Sequence, residues 1–426
     1  MASLLSTADR RTMLKAGGAL VVQSGFPAIL RAQSARPIKF GLVGCGGRGT
    51  GAAGQALRAD DYAEVTALAD VSQQRIDSCI ARLKRVAEPR VKVAAENQFL
   101  GLDAFQKLIN SGVDVVLLAT PPGFRPQHLR ACVEAGKHVF CEKPVATDVP
   151  GVRTVLDTAA LAKQKNLSLV SGFCWRYSNY AGEPMKRVLD GAIGDVQAYY
   201  ATFYTGPVRP MPPASQRPAG MSDVEWQIGN WYNFAWLSGD GLVEQAVHSV
   251  DKVGWAMRDA DPVSCVAVGG RQIPAHGGNI YDHVEVNYLF ANGVRAFVVH
   301  RQIPYCYNEN CDFVLGTKGQ LTIRGTAPVI TGPNAWTFEG PRNDMYQAEL
   351  DALFASIRKG QPINDGVWMA HSTMLAIMGR IAAYTGQQIT WEQAMSSQEK
   401  LVPDSIDWNG KLEVPPMPLP GQKKFA

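Results

Sequence analysis

The chain lacks a strong excess of charge of either sign. Its 42 Lys and Arg against 38 Asp and Glu leave a formal net charge of +4 over 426 residues. Within residues 1–34, four basic side chains against one acidic side chain (4 − 1) account for +3 of that total, so about +1 remains for the rest. No basic stripe is left that would favour nucleic acid as a partner. The length is enough for two domains.

Metal-ligand spacings are also missing. Cys306 and Cys311 are separated by four residues and have no second ligand pair, which argues against zinc. His276 and His283 are seven positions apart without a carboxylate cluster, so we expect no metal. We expect buried free thiols at most of the eight cysteines, which are Cys45, Cys79, Cys132, Cys141, Cys174, Cys265, Cys306 and Cys311.

Beyond residue 34 the sequence has no apolar run long enough to cross a bilayer. At the amino terminus, residues 9–15 resemble the twin-arginine export motif, and a short, glycine-interrupted apolar stretch follows at 16–30. Small residues at 32–34 suit a signal peptidase. We therefore predict a twin-arginine signal segment at 1–34, recognition by the Tat export machinery, and a periplasmic protein. The alternatives are a disordered basic tail or an uncleaved anchor.

The rest of the chain is organised around a glycine-rich turn. An apolar run, Ile38 to Val43, predicts a buried strand, and G-x-G-x-x-G follows at once, before a stretch suited to a helix. A second predicted strand ends in Asp70, 26 residues after Gly44, where a carboxylate can bind a ribose hydroxyl. This context predicts dinucleotide binding, with NAD favoured and NADP possible; the alternative is a purely structural turn. The predicted turn residues are Gly44, Cys45, Gly46, Gly47, Arg48 and Gly49.

Strand and helix patterns alternate from residue 36 to about 172, which predicts a doubly wound parallel sheet over residues 35–172. Ligands bind beyond the carboxyl ends of such strands. The residues at or near these ends are therefore further cofactor-binding candidates, namely Thr120, Pro121, His128, Glu142, Lys143, Trp175 and Arg176.

The pattern changes after residue 172. Successive strands with period-two alternation and a hairpin signal at 291–293 predict a mostly antiparallel sheet in a second α/β domain over residues 173–426. A Pro-rich loop at 207–220 shows no core pattern. We expect the tail at 415–426 on the surface or against a neighbouring subunit.

Two groups in this framework could perform chemistry. Lys143, in Glu142-Lys143-Pro144 after a strand, could bond a substrate hydroxyl near the nicotinamide. In the helix predicted over 240–257, Glu244 precedes His248 by four residues, so the carboxylate could orient the imidazole, and the imidazole could remove a hydroxyl proton. The alternatives are a solvated lysine and a core histidine beside a surface carboxylate.

The three motifs in this order resemble the glucose–fructose oxidoreductase/inositol dehydrogenase/rhizopine-catabolism (Gfo/Idh/MocA) family. The resemblance implies a Rossmann domain, an open-sheet domain for substrate binding and oligomerisation, and redox chemistry at a sugar or cyclitol carbinol. By motif match, Lys143 is the lysine of the EKP motif and His248 the catalytic acid/base. Glu244 stands where many members carry Asp. We expect substrate contacts from Lys143 and His248. Further candidates are Arg176 and Tyr177 after a predicted strand, and Tyr281 and Asp282 before another; the alternative for these four is ordinary packing or a surface ion pair.

The expected activity is oxidation or reduction of a carbohydrate or polyol hydroxyl, with a tightly bound cofactor recycled in place because the periplasm offers no soluble NAD pool. One alternative is a glycosidase that oxidises transiently, eliminates and returns the hydride. Another is a sugar-binding protein that keeps the dinucleotide for structure. The open sheet implied by the family favours a homodimer or homotetramer.

Overall fold

The computed structural model describes residues 36–273 and 277–425 of the chain. The predicted signal segment and His276 therefore lie outside the described residues. Residues from Pro37 onward form one compact unit. In the described part, no helix has both the length and the apolar character needed to cross a membrane.

The amino-terminal sheet has six parallel strands in the order β3-β2-β1-β4-β5-β6. The predicted doubly wound sheet is confirmed. Its central strands are almost wholly buried apolar runs, as expected when helices cover both faces. The strands are β1 Ile38–Val43, β2 Ala63–Asp70, β3 Gln98–Leu100, β4 Val115–Leu118, β5 His138–Cys141 and β6 Leu169–Ser171.

Crossover helices connect these strands. Side chains of Ser72 and Asp148 cap two of them by accepting backbone N–H bonds in the first turn. The helices are α1 Gly47–Ala59, α2 Gln73–Ala87, α3 Ala104–Ile109, α4 Arg125–Glu134 and α5 Val149–Gln164.

The second sheet has nine strands in the order β14-β13-β12-β11-β7-β10-β9-β8-β15. β10 pairs with β7 in parallel and the other pairs are antiparallel, so the predicted mostly antiparallel sheet is confirmed. The strands are β7 Val196–Thr205, β8 Ser264–Gly270, β9 His283–Leu289, β10 Arg295–Gln302, β11 Glu309–Gly316, β12 Gln320–Ile323, β13 Val329–Thr331, β14 Trp336–Thr337 and β15 Ile389–Thr390.

The remaining helices join the two sheets into one body. α11 is buried along most of its length, and its residues belong to the largest apolar core. α10 returns to the first sheet, where Leu350, Leu353 and Phe354 pack in the same apolar cluster as Phe40. These helices are α6 Asn179–Leu189, α7 Asp223–Gly229, α8 Ala235–Ser238, α9 Val247–Ala256, α10 Met345–Lys359, α11 Gly366–Thr385 and α12 Trp391–Ser396, with a π-helix at Leu242–Ala246 before α9.

The connecting segment, residues 206–241, follows β7 and has a core of its own. Met211 of the Pro-rich loop is buried there, although the loop shows no core pattern in the sequence. The carboxyl-terminal segment, residues 397–425, packs on its own chain, where Pro418 O accepts a bond from Tyr281 Oη at 2.8 Å. Seven of the eight cysteines are buried and all eight are free, with Cys306 exposed.

Candidate active site

The glycine-rich turn has the backbone geometry that a dinucleotide requires. Gly44 has φ +97°, and a Cβ there would lie 2.8 Å from the Ala119 backbone. A Cβ at Gly49 would lie 2.0 Å from Gly44 O, so helix α1 can approach β1 this closely only with glycine. A Cβ at Gly46 would meet nothing within 4 Å, and Gly46 lines an open pocket. The first N–H groups of α1 have no side-chain cap, which leaves donors for a phosphate.

Asp70 lies at the end of β2 and lines the same pocket. Its Oδ2 accepts a bond from Cys45 N at 2.7 Å, and its Oδ1 accepts one from Ser72 N at 3.0 Å. A carboxylate held in this way keeps acceptor capacity for ribose hydroxyls. Arg75 Nη1 lies 3.8 Å from Asp70 Oδ1, close enough to partly neutralise it.

Thr120, Pro121 and His128, which are predicted to bind the cofactor, line the same pocket. His128 stacks on Phe105 with ring centroids 4.0 Å apart. Burial, and then the charge of Arg125, lower its pKa to about 3, so the imidazole is neutral at physiological pH. The pocket also includes aromatic residues that sequence reasoning missed, among them Phe124 and Trp231. Their pattern resembles ordinary core residues, and no local signal marks them.

Arg48 and Glu142 belong to an ion-pair network beside the glycine-rich turn. The Arg48 guanidinium bonds both Glu142 and Glu349, and Glu349 comes from α10. Burial, and then the charge of Glu142, raise the pKa of Glu349. Arg125 Nη1 donates to Pro144 O at 2.6 Å, directly after Lys143, while Glu349 is linked to Glu142 through Arg48. Sequence reasoning identified neither Arg125 nor Glu349, because both act across the fold.

Lys143 and Glu244 are in contact. Lys143 Nζ donates to Glu244 O at 2.6 Å and to Glu244 Oε1 at 3.1 Å. The side chains are 13% and 6% exposed, so the ion pair is largely shielded from water. The strand end of the first sheet thereby joins the helix that carries His248.

The imidazole of His248 is half-buried, and its Nδ1 has no hydrogen-bond partner among the described residues. Burial, and then the charges of Lys143 and Lys252, hold its pKa well below its usual value. The histidine is therefore neutral at pH 7, which is the state a general base requires. Lys252 itself is fully buried against Asp312, to which it donates a hydrogen bond.

The expected pairing of Glu244 with His248 does not occur. The carboxylate bonds Lys143 and Gln245 instead. The prediction assumed a regular α-helix, in which residues four apart share a face. The residues from Leu242 to Ala246 form a π-helix, whose wider turn changes the angle between Glu244 and His248.

The other predicted pocket residues have internal partners. Arg176 bonds Asp251 and Asp259, and Tyr177 Oη donates to Asp365 at 2.5 Å. Trp175 packs against the main core, where Lys252 Nζ lies 5.0 Å from its ring. Tyr281 is buried, and Asp282 accepts backbone bonds from the chain after β8. Their contacts to substrate or cofactor stay predictions. No cluster of metal-ligating side chains occurs in the residues described.

A parallel sheet whose glycine-rich turn opens into a pocket beyond the strand ends is the arrangement of a dinucleotide-binding domain. Residues 38–172 match the model of the GFO_IDH_MocA oxidoreductase family, NAD-binding Rossmann fold. The amino-terminal third of the chain is thus similar to the Rossmann domain of this family.

Known proteins resemble nearly the whole folded unit. Inositol 2-dehydrogenase of Rhizobium meliloti is 25% identical over 347 residues, covering 78% of this chain and 93% of that protein. A levoglucosan dehydrogenase, solved with NADH and levoglucosan, has a TM-score of 0.67 at 18% identity and covers 83% of this chain and 99% of its own. The aldose-aldose oxidoreductase of Caulobacter crescentus, solved with glycerol, has a TM-score of 0.64 at 22% identity, with 83% and 100% covered. The two structures support the fold.

Proposed function

We propose that the protein oxidises or reduces a hydroxyl-bearing carbon of a sugar or polyol, using an NAD that stays bound through the cycle. The observation that carries this proposal is the contact of Lys143 with Glu244 next to the neutral His248, at a strand end of the nucleotide-binding sheet. The inositol dehydrogenase relative supports a polyol or sugar as the substrate class.

Each site residue has a distinct role in the proposed reaction. When bound, the dinucleotide would supply a nicotinamide as the hydride acceptor or donor. His248, neutral at pH 7, takes the hydroxyl proton of the substrate. The Lys143 ammonium donates a hydrogen bond to the same oxygen and stabilises negative charge there. Glu244 holds Lys143 in place through two acceptor atoms.

Cofactor choice and cellular site belong to the same proposal. Asp70 disfavours a 2′-phosphate and accepts from ribose hydroxyls, so NAD is preferred over NADP. We propose export by the twin-arginine route because of residues 1–34, and a cofactor acquired before export.

We also propose a homodimer or homotetramer formed through the open face of the nine-stranded sheet. Large apolar side chains exposed there would be covered by a second copy, among them Tyr200, Val266, Val268 and Leu315.

The first experiment denatures the purified, exported protein and identifies the released nucleotide by mass spectrometry. About one NAD(H) per chain supports the retained cofactor, and an empty protein contradicts it. The loaded protein is then given paired sugars, polyols and glycosides. Reduction of one sugar at the expense of another supports the proposed cycle, whereas glycoside cleavage without net NADH supports the oxidation–elimination alternative.

The proposed roles are tested with His248→Ala and Lys143→Ala. We expect turnover to fall by about 10²–10⁴-fold for His248→Ala, the usual contribution of a general base, with the dinucleotide still bound. His283→Gln, in an exposed histidine of β9, is the matched control and should retain activity. Normal turnover in both site variants would contradict the assignment.

A further inference from the structure

Two residues of the nucleotide pocket come from outside the Rossmann domain. Most of the lining lies at the strand ends and turns of residues 43–128, including Asp70 and Thr120. In the described chain, Ile228 and Trp231 are the lining residues from beyond residue 172, and both belong to the connecting segment 206–241. The pocket therefore has a wall that no Rossmann motif encodes.

That wall belongs to an apolar core separate from those of the two sheets. We call it the cap cluster; its buried residues are Met211, Val224, Ile228, Phe234, Trp236 and Leu237. Val71, Leu102 and Phe124 of the Rossmann domain pack against it from one side, and residues of the carboxyl-terminal segment such as Leu401 and Trp408 from another. Three distant stretches of the chain thus meet in the cap cluster, which contributes Ile228 to the pocket lining.

Buried polar contacts hold the wall in place. Gln227 is 2% exposed; its Oε1 accepts from Trp236 Nε1 at 2.7 Å, and its Nε2 donates to Leu412 O at 2.6 Å. Leu412 N donates to Asp223 Oδ2 at 3.1 Å. Helix α7, which carries Ile228, is therefore tied to the carboxyl-terminal segment from two positions.

The same segment is anchored to the Rossmann domain. Leu401 N donates to Asp148 Oδ2 at 2.9 Å, while Asp148 Oδ1 caps helix α5. A Cβ at Gly123 would lie 2.3 Å from Trp236 O, so the connecting segment lies directly on the Rossmann turn. The wall is therefore attached to the nucleotide-binding domain by two contacts, one through the carboxyl-terminal segment and one through the connecting segment.

We propose that Trp231, supported by Ile228 and clamped by the carboxyl-terminal segment, closes the adenosine half of the pocket and retains the dinucleotide. Asp70 marks this half, because the carboxylate at the end of the second strand binds the adenosine ribose. An aromatic face suits an adenine ring, which stacks on it. The inference rests on the proposed function for the identity of the ligand, and it explains how that ligand stays bound.

The test measures nucleotide retention. Trp231→Ala, Trp231→Phe and the wild type are purified and their nucleotide content is determined by mass spectrometry. Exchange of the bound nucleotide for isotope-labelled NAD then gives a release rate. Loss of an aromatic–base stack is worth about 1–3 kcal/mol, so we expect release from Trp231→Ala to be roughly 5- to 150-fold faster, with Trp231→Phe between it and the wild type.

Trp226→Ala is the matched control. Trp226 is a partly buried tryptophan that packs on the same cap cluster, three residues after the start of α7 and outside the pocket lining. It should release nucleotide at the wild-type rate. Equal release rates for Trp231→Ala and Trp226→Ala would overturn the inference, while the wild-type nucleotide content alone decides the retained-cofactor proposal.

If the wild type is purified empty, the affinity of each variant for added NAD is measured by calorimetry instead. Weaker binding by Trp231→Ala than by Trp226→Ala would support the wall, and equal affinities would overturn it. Should Trp231→Ala fail to fold, Trp231→Phe and Gln227→Leu provide the same comparison, because Gln227→Leu removes the bonds to Trp236 and Leu412.

Discussion

Substitution of Glu244 tests whether its carboxylate acts through Lys143, which it contacts, or through His248, as the sequence predicted. Lys143 Nζ has two acceptors on this residue, the main-chain oxygen at 2.6 Å and the carboxylate Oε1 at 3.1 Å. Glu244→Ala removes only the second. The ammonium then keeps one bond and gains freedom to leave the substrate oxygen.

The magnitude follows from the bond that is lost. A hydrogen bond to a charged group contributes about 1.5–3 kcal/mol, so kcat/KM should fall roughly 10- to 150-fold in Glu244→Ala. Glu244→Gln keeps a neutral acceptor of the same length, and we expect a fall of less than about tenfold. Gln245→Ala is the control, since Gln245 contacts only the other carboxylate oxygen, and it should change kcat/KM by no more than about threefold.

The pH profile of kcat/KM for the oxidation direction distinguishes the two roles. His248 must be neutral to accept a proton, so activity is lost as pH falls through its lowered pKa, and the acid limb lies below the usual histidine value. Burial and the charges of Lys143 and Lys252 set this pKa. Glu244→Ala should therefore lower the plateau and leave the limb in place. A shifted limb with an unchanged plateau would refute this reasoning and restore the pairing with His248.

Three further predictions concern cofactor choice and stability. Asp70→Ser should raise the ratio of NADP to NAD kcat/KM at least about tenfold, because it removes a charge that repels a 2′-phosphate and frees Arg75; Arg75→Ala in that background should reverse the gain. Lys252→Met or Asp312→Leu alone should lower the free energy of unfolding in urea by about 3–5 kcal/mol, since each leaves a buried charge unpaired; the double variant should recover most of the loss, and additive losses would contradict the pair. Burial lowers the pKa of His300 to about 4, so the unfolded chain binds a proton first as pH falls below about 6.5. Near pH 4.5 this difference lowers the free energy of unfolding by about 2–3 kcal/mol, and thermal unfolding of His300→Gln should show a correspondingly shallower loss of stability in acid.

Local signals in the sequence were sufficient to predict the nucleotide-binding sheet. The apolar runs of β1 and β4 are buried on both faces, and the glycines at 44, 46 and 49 act within a single turn. Asp70 follows at the end of the next strand. Such features depend on neighbours in sequence and on the parallel-sheet rule that collects strand ends at one edge.

The partners of the residues proposed to be catalytic could not be predicted in the same way. Glu244 accepts a hydrogen bond from Lys143, which lies 101 positions earlier in the sequence. The π-helix at Leu242–Ala246, which no residue pattern predicts, places Glu244 on a different helix face from His248. Arginine is a residue type that can bind sugar hydroxyls, yet the Arg176 guanidinium already donates hydrogen bonds to Asp251 and Asp259. Ion pairs over long sequence separations depend on the register of packed helices and sheets.

The sequence by itself determined the fold class, the dinucleotide turn, and His248 and Lys143 as the residues proposed to accept the proton and to bind the substrate oxygen. Each of these features is encoded in a short motif at a strand end or on one helix. Only the tertiary structure decided which acid supports Lys143, and which distant residues close the nucleotide pocket. Trp231 reaches that pocket because the connecting segment and the carboxyl-terminal segment pack together on the Rossmann domain. Their contact is a matter of side-chain packing between stretches more than 150 residues apart, which local patterns do not encode.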